Sequence, residues 1–281
     1  MKHFFLIGIL AGFFGFFVWS FQSSAAVAGV PQLHPDNENK NNAAKNKQPV
    51  LIELFTSEGC PTCPPADRNL TFLETEQPFA EAELITLALH VDYWDSRGWK
   101  DEFSSPMFSR RQDIYGQVFK INSIYTPQMI VDGQMQFAGT DLAKVQKAVV
   151  ESAKNEKGKI ELAAVTDANG GTKLQVKISD LPKHEISTVF LAVAEDNLAS
   201  SRNRGESSGG KRIFTSVVRE LKSLGFLTAE QKNLEIETIL QFQSNWNVEN
   251  LKVVVFVQEN GSRRVFGIAK RNLTNEKKPV V

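Results

Sequence analysis

Cysteine is nearly missing from this chain: 281 residues include only two, Cys60 and Cys63. A scaffold stapled by several disulfides is therefore excluded, and the bulk of the chain must rely on ordinary apolar cores. Net charge is missing too, since 32 Lys and Arg residues offset 32 Asp and Glu residues. That removes the basic field which draws nucleic acid or an anionic membrane surface. There is no internal repeat, no glycine-rich phosphate loop, and neither a second CxxC nor a His pair to complete a four-ligand zinc site. Beyond residue 21 no apolar run is long enough to span a bilayer. Nothing in the sequence calls for a nucleotide, a nucleic acid or a cofactor.

What is present begins with an export signature. Lys2 and His3 precede an almost wholly apolar run, Phe4 to Phe21, and Ala26-Val27-Ala28 offers an A-x-A cleavage site. The run is long for a cleaved signal and near the minimum for a spanning helix. Residues 1–28 thus read either as a signal peptide or as an uncleaved N-terminal anchor. Both readings export the remainder to the periplasm or beyond, with the membrane reached only through the anchor. Residues 29–48, rich in Asn, Lys, Pro and Ala, read as a flexible linker. Length then suggests two domains, 49–157 and 158–275, and a short tail over 276–281.

Cys60-Pro61-Thr62-Cys63 follows a strand-type run, Val50 to Phe55, and precedes Pro64-Pro65-Ala66-Asp67, which can open a helix. That context sets the first sulfur at the positive end of a helix dipole, where a thiolate is favoured. It suits thiol–disulfide exchange, with Cys60 attacking and Cys63 resolving. Two plainer readings stand beside it: a structural disulfide, which gains little from closing so small a loop, and metal binding.

Ala82 to Val91 is a near-continuous apolar run that suits a strand covered on both faces. Pro106 to Phe119 has a helical pattern, and Arg110 and Arg111 on it read as a solvated face. Tyr125-Thr126-Pro127-Gln128 leads into Met129-Ile130-Val131, and Asp132-Gly133 signals a tight hairpin. Thr140 and Asp141 can cap a closing helix with Leu142, Val145 and Val149 spacing. A β-α-β-α order with a leading CxxC argues for an α/β layer fold.

At this point the chain resembles the thioredoxin fold, and more narrowly an uncharacterised bacterial secreted family, a domain of unknown function numbered 1223. The narrower likeness rests on Glu53 to Asp67, on His90-Val91-Asp92-Tyr93-Trp94-Asp95 and on Tyr125-Thr126-Pro127-Gln128. The resemblance implies a cis proline at Pro127 lying against the sulfurs, with the Thr126 backbone presenting a protein or small-molecule thiol or disulfide partner. It departs from thioredoxin where that fold has its buried acid: Leu54 stands there, and Glu53 is one position away. Glu53 is then either a proton acceptor for Cys63 or a carboxylate paired to a neighbouring base. His90 and Asp92 end the central strand near the CxxC, as proton-relay candidates or as packed, hydrogen-bonded residues. Trp94 and Trp99 are either a wall beside the site or packing of an inserted segment.

From Lys159 onward the period becomes strand-like, over Ile160–Val165, Leu174–Ile178, Val189–Ala194, Ile236–Phe242, Leu251–Gln258 and Arg264–Ala269. These suggest an antiparallel β-sandwich-like second domain, while Val217 to Leu227 fits a helix or a strand. The polar loop from Asn197 to Arg212 reads as a mobile tip, or as a segment that folds over the CxxC or grips a partner. The leading functional expectation is an exported thiol–disulfide oxidoreductase. The alternatives are a copper or other soft-metal carrier using Cys60, Cys63 and His90, and an adaptor whose disulfide is only structural.

Overall fold

A computed structural model of the protein describes residues 47–95, 100–166, 171–199 and 212–273. The expected signal or anchor, most of the linker, Trp99, the centre of the 197–212 loop and the tail lie outside the described residues. Strand β1 (Gln48–Thr56) leads to helix α1 (Pro64–Glu76), strand β2 (Ala82–His90), a 3-10 turn at Asp92–Trp94 and helix α2 (Pro106–Val118). Strands β3 (Gln128–Val131) and β4 (Met135–Ala138) and helix α3 (Leu142–Ser152) follow. The second half is strand-built: β5 (Lys159–Thr166), β6 (Thr172–Ser179), β7 (Ser187–Glu195), β8 (Leu198–Ala199), β9 (Ile213–Phe214), β10 (Val217–Leu227), β11 (Leu234–Leu240), β12 (Leu251–Glu259) and β13 (Val265–Asn272).

The fold is mostly β, with few helices. Among the described residues the strands form an eight-stranded mixed sheet in the order β13-β12-β7-β10-β2-β1-β3-β4. Beside it are a three-stranded sheet, β11-β6-β5, and the two-stranded ribbon of β8 and β9. β2 runs parallel to β1, β3 antiparallel to β1, and β4 antiparallel to β3.

β1 is buried on both faces, so its two-residue period sorts its side chains between two cores. Val50, Ile52 and Leu54 join Leu70 and Leu73 of α1 and Val145 and Val149 of α3. Leu51 and Phe55 join Phe108 and Tyr115 of α2 on the opposite face, together with Ala192, Val254 and Phe256. That second core crosses from β1 and β2 to β7 and β12, so one layer of side chains unites the two halves. The opposite side of β7 and β12 is covered by the small sheet, with Leu174, Val176 and Ile178 against Leu191, Val193, Val253 and Val255.

In the second half the small sheet β11-β6-β5 thus packs on β7 and β12, but β7, β10, β12 and β13 belong to the same eight-stranded sheet as β1 to β4 and form no separate sandwich. Strand β10 inserts between β7 and β2 and continues the first sheet. The junction is short: Val217 lies opposite Ala88, and Ala88 N–H donates to Ser216 O at 2.8 Å. A buried polar cluster seals it. Lys252 Nζ donates to Glu74 Oε1 at 2.8 Å and Ser216 Oγ at 2.7 Å, and Thr86 Oγ1 donates to Glu74 Oε2 at 2.9 Å. Burial alone would raise the Glu74 pKa, but the charges of Lys252 and Lys270 lower it on balance. Val217–Leu227 is a strand, and its register shifts at Val218/Glu220 and Ser223/Gly225.

The Asp132-Gly133 turn forms as expected, with φ of 47° and 69° at its two residues and Gln134 N–H donating to Val131 O at 2.9 Å. A Cβ on Gly133 would collide with the backbone carbonyl of Arg263. Gly133→Ala should therefore destabilise the protein by at least about 1–3 kcal/mol, measured by urea unfolding. A change within error would show that the β3–β4 turn and the Arg263 loop can shift without loss.

Candidate functional site

The site begins where β1 stops. Thr56 is its last residue, and the chain then turns through Ser57 to Cys63 before α1 starts at Pro64. Proline suits the first helical positions because its φ is preset and its missing N–H is not needed there. Cys63 rather than Cys60 is the N-cap of α1, with Pro64 and Pro65 next. Cys60 and Cys63 are joined in a disulfide with their Cα atoms 5.4 Å apart. Both are buried, at 1% and 0% exposure. Pro61 and Thr62 between the cysteines are exposed, and Thr62 Oγ1 lies 3.4 Å from Cys60 Sγ and 3.5 Å from Thr126 O.

Thr126–Pro127 is a cis peptide bond immediately before β3. Thr126 Oγ1 accepts a hydrogen bond from Trp94 Nε1 at 2.8 Å. Pro127 O accepts from Gly139 N–H at 3.0 Å, and a Cβ on Gly139 would press on Leu54 and Ala66. Tyr93 is hydrogen-bonded to Gln112, and burial first of all pushes its phenol up to about 12. Cys60, Cys63, Thr126 and, through Thr126, Trp94 are thus brought together.

Glu53 is not brought to Cys63. Strand alternation turns it away from α1 and into the α2 face, where Arg111 Nε donates to Oε1 at 2.6 Å and Nη2 to Oε2 at 3.0 Å. Tyr115 Oη also donates to Glu53 Oε2. Arg111 itself, expected on a solvated helix face, is 5% exposed and meets the rings of Tyr115, Phe190 and Phe256. Asp92 serves the start of α2 instead of the cysteines: Ser109 Oγ donates to its Oδ1, and its own N–H donates back to Ser109 Oγ at 3.1 Å.

His90 ends β2 and pairs in register with Thr56. It is fully buried, its Nδ1 lies 2.8 Å from Asp101 Oδ2, and the rings of Phe103 and Phe214 stand nearly perpendicular to it at 5.4 and 5.2 Å. Burial pulls its pKa down, but the charge and hydrogen bond of Asp101, helped by Asp67 and Glu58, carry it above its ordinary value. Asp101 is held below its ordinary value, since His90 and the N–H groups of Glu58 and Phe103 outweigh its burial. Asp67, in the first turn of α1, is pushed up by burial in spite of Thr56, His90 and Arg212; Thr56 Oγ1 donates to it at 2.7 Å, and Arg212 Nη2 is its ion-pair partner.

Asp101 is not singled out by the sequence, and Arg212 enters there only as the end of the polar loop. Asp101 sits in an aperiodic polar segment, where only a buried base such as His90 could have signalled the need for an acid. Among the described residues no group of three or more Cys, His, Asp or Glu side chains could hold a metal ion. His90 turns its Nδ1 to Asp101, and the carrier set of Cys60, Cys63 and His90 is not assembled.

Comparison with solved structures finds a protein from Agrobacterium tumefaciens, a structural-genomics target, at 21% identity and a TM-score of 0.63, covering 82% of this chain and 96% of that one. HBP35 of Porphyromonas gingivalis is similar at 14% identity and a TM-score of 0.60, covering 84% and 78%. At such identities the likeness is one of fold. Comparison with curated proteins finds no match. Residues 51–258, from β1 into β12 and including the whole cysteine site, match the family described as "Protein of unknown function (DUF1223)", and the chain belongs to that family.

Proposed function

We propose that this protein is an exported thiol–disulfide oxidoreductase whose first half is thioredoxin-like. The observation that carries the reading is the Cys60–Cys63 disulfide at the head of α1, with the Thr62 hydroxyl within reach of both Cys60 Sγ and the Thr126 carbonyl just before β3. The element order β1-α1-β2-α2-β3-β4-α3 and the sheet order β2-β1-β3-β4 support the thioredoxin-like part. The apolar run Phe4 to Phe21 supports export. In this reading Cys60 attacks, Cys63 resolves, and the edge formed by Thr126 and Pro127 receives the partner.

A second reading, a structural disulfide in a non-catalytic adaptor, is favoured by the burial of both sulfurs. Equilibrating the full-length chain with dithiothreitol or glutathione separates the two. The expected result is a reversible couple between about −270 and −120 mV, the span of known exchange proteins. A bond that resists reduction to below about −300 mV, as structural disulfides do, would establish the adaptor reading instead.

A further inference from the structure

The amides that normally favour a thiolate at a helix start are largely absent here. Pro64 and Pro65, at the first two positions of α1, have no N–H to offer. The next two N–H groups, of Ala66 and Asp67, are both taken by Cys63 O at 2.9 and 3.0 Å. A side-chain charge beside the loop would add to the little that these amides offer a Cys60 thiolate.

The buried base tied to the Cys60 loop is His90. Asp101 Oδ2, 2.8 Å from His90 Nδ1, also accepts from Glu58 N–H at 2.8 Å and Ser57 Oγ at 3.2 Å. Ser57 in turn holds the next residues: its Oγ accepts from Gly59 N–H at 3.0 Å and its carbonyl from Cys60 N–H at 3.2 Å. One carboxylate oxygen thus fixes the imidazole and the loop that ends on Cys60. The ionisable groups facing the imidazole are Asp101 from the segment before α2, Asp67 from α1 and Glu58 from the loop after β1. Arg212, ahead of β9, acts on this set by pairing with Asp67. On its other sides the imidazole meets Phe103 and Phe214, and its Nε2 has no hydrogen-bond partner among the described residues. Aromatic rings accommodate a charged N–H better than a bare buried lone pair.

We propose that the His90–Asp101 pair is a protonation-dependent positioning device for the cysteine loop. With His90 charged, the pair fixes Ser57 and Glu58 and supplies the positive charge that favours a Cys60 thiolate. When the proton leaves, that charge is withdrawn and the His90–Asp101 bond weakens to a neutral-donor one. His90 and Asp101 are positioning residues in this scheme and take no covalent part.

The proposal rests on the thiol–disulfide reading, and its test keeps the two apart. In the full-length reduced protein, the ultraviolet absorbance of the thiolate is followed against pH, together with the dithiothreitol equilibrium, for the wild type, His90→Gln and Asp101→Asn. In the wild type the thiolate titration shows a second inflection besides that of the thiol. His90→Gln keeps a donor toward Asp101 but no charge; it removes that inflection and, near about pH 6, shifts the equilibrium toward the disulfide at least about tenfold, or 30 mV. Asp101→Asn lowers the thiolate fraction of the folded protein as well. Variant titrations that overlay the wild type, with only the melting temperature changed, overturn the inference. If neither variant folds, the wild-type curve decides, and a single inflection overturns it. A wild-type disulfide that cannot be reduced would instead defeat the oxidoreductase reading before any variant is compared.

Discussion

Arg111→Met should lower the unfolding free energy by about 3–5 kcal/mol, the cost of removing one partner from a buried ion pair. Glu53 and Arg111 are 1% and 5% exposed, and the guanidinium gives the carboxylate two hydrogen bonds while also donating to Tyr115 Oη and Gln258 Oε1, each at 3.1 Å. Without it the Glu53 carboxylate stays in a core of Phe55, Phe108 and Phe256, with the Tyr115 hydroxyl beside it. Arg263 is close enough for its charge and that of Arg111 to act on each other: burial, then Arg111, lower the Arg263 pKa. Its own hydrogen bonds nevertheless go to Gln258 Oε1 and Asn260 O. The pair as a whole need not be worth that much, because exchanging both members for apolar groups of like shape is often neutral. The double variant Glu53→Leu/Arg111→Met should therefore regain most of the loss. Urea denaturation of the three variants checks both statements; a loss below about 1 kcal/mol for Arg111→Met would place the pair in the class of solvent-screened surface bridges.

The same pair shows where sequence reading stops. Arg110 and Arg111 are neighbours on α2, yet the helical turn of about 100° per residue exposes one and buries the other. The pattern of α2 alone does not say which, and the answer lies with Glu53, an acid in the apolar run Val50–Phe55 that needs a buried partner. Local features were legible because local chemistry fixes them: the strand before the CxxC, the Pro64-Pro65 helix start, the cis proline position implied by the family likeness, and the Asp132-Gly133 turn. Sheet membership was not legible. Strand β10 joins the two halves through Val217 opposite Ala88, a contact between residues far apart in sequence that no periodicity encodes. Its identity as a strand was ambiguous for a related reason, since two bulges break the alternation that would have marked it. At the site, the apolar run ending near Val91 puts His90 at a strand end, as in β2 (Ala82–His90), but its partner Asp101 depends on how an aperiodic segment folds back over the cysteine loop.

Cys60→Ser should abolish disulfide exchange, and Cys63→Ser should leave partners covalently held on Cys60. In the proposed exchange, taken in the direction that reduces a partner, the Cys60 thiolate attacks a partner disulfide, the Cys60–partner bond forms, and the displaced partner sulfur leaves as a thiolate that takes a proton from water. Cys63 then loses its proton to solvent and attacks the Cys60 sulfur. The mixed bond breaks, the second partner sulfur leaves with two electrons delivered to the partner, and the Cys60–Cys63 disulfide remains. Serine at position 63 cannot perform the second attack, so the mixed disulfide accumulates and is seen by non-reducing electrophoresis and mass spectrometry. Access is the point at risk, because Cys60 is 1% exposed and Thr62 stands over it. Thr62 is exposed, however, and its contact with Thr126 O, at 3.5 Å, is a long one, while sulfur is only a weak acceptor at 3.4 Å, so breaking both costs little. Stability discriminates as well. A disulfide with a sequence separation of 3 restrains so short a loop that chain entropy supplies only about 2 kcal/mol. Both serine variants should therefore fold, with similar and modest losses. If both fold, and Cys63→Ser captures neither a protein nor a small disulfide probe, the Cys60–Cys63 bond is a structural clip and the exchange reading falls.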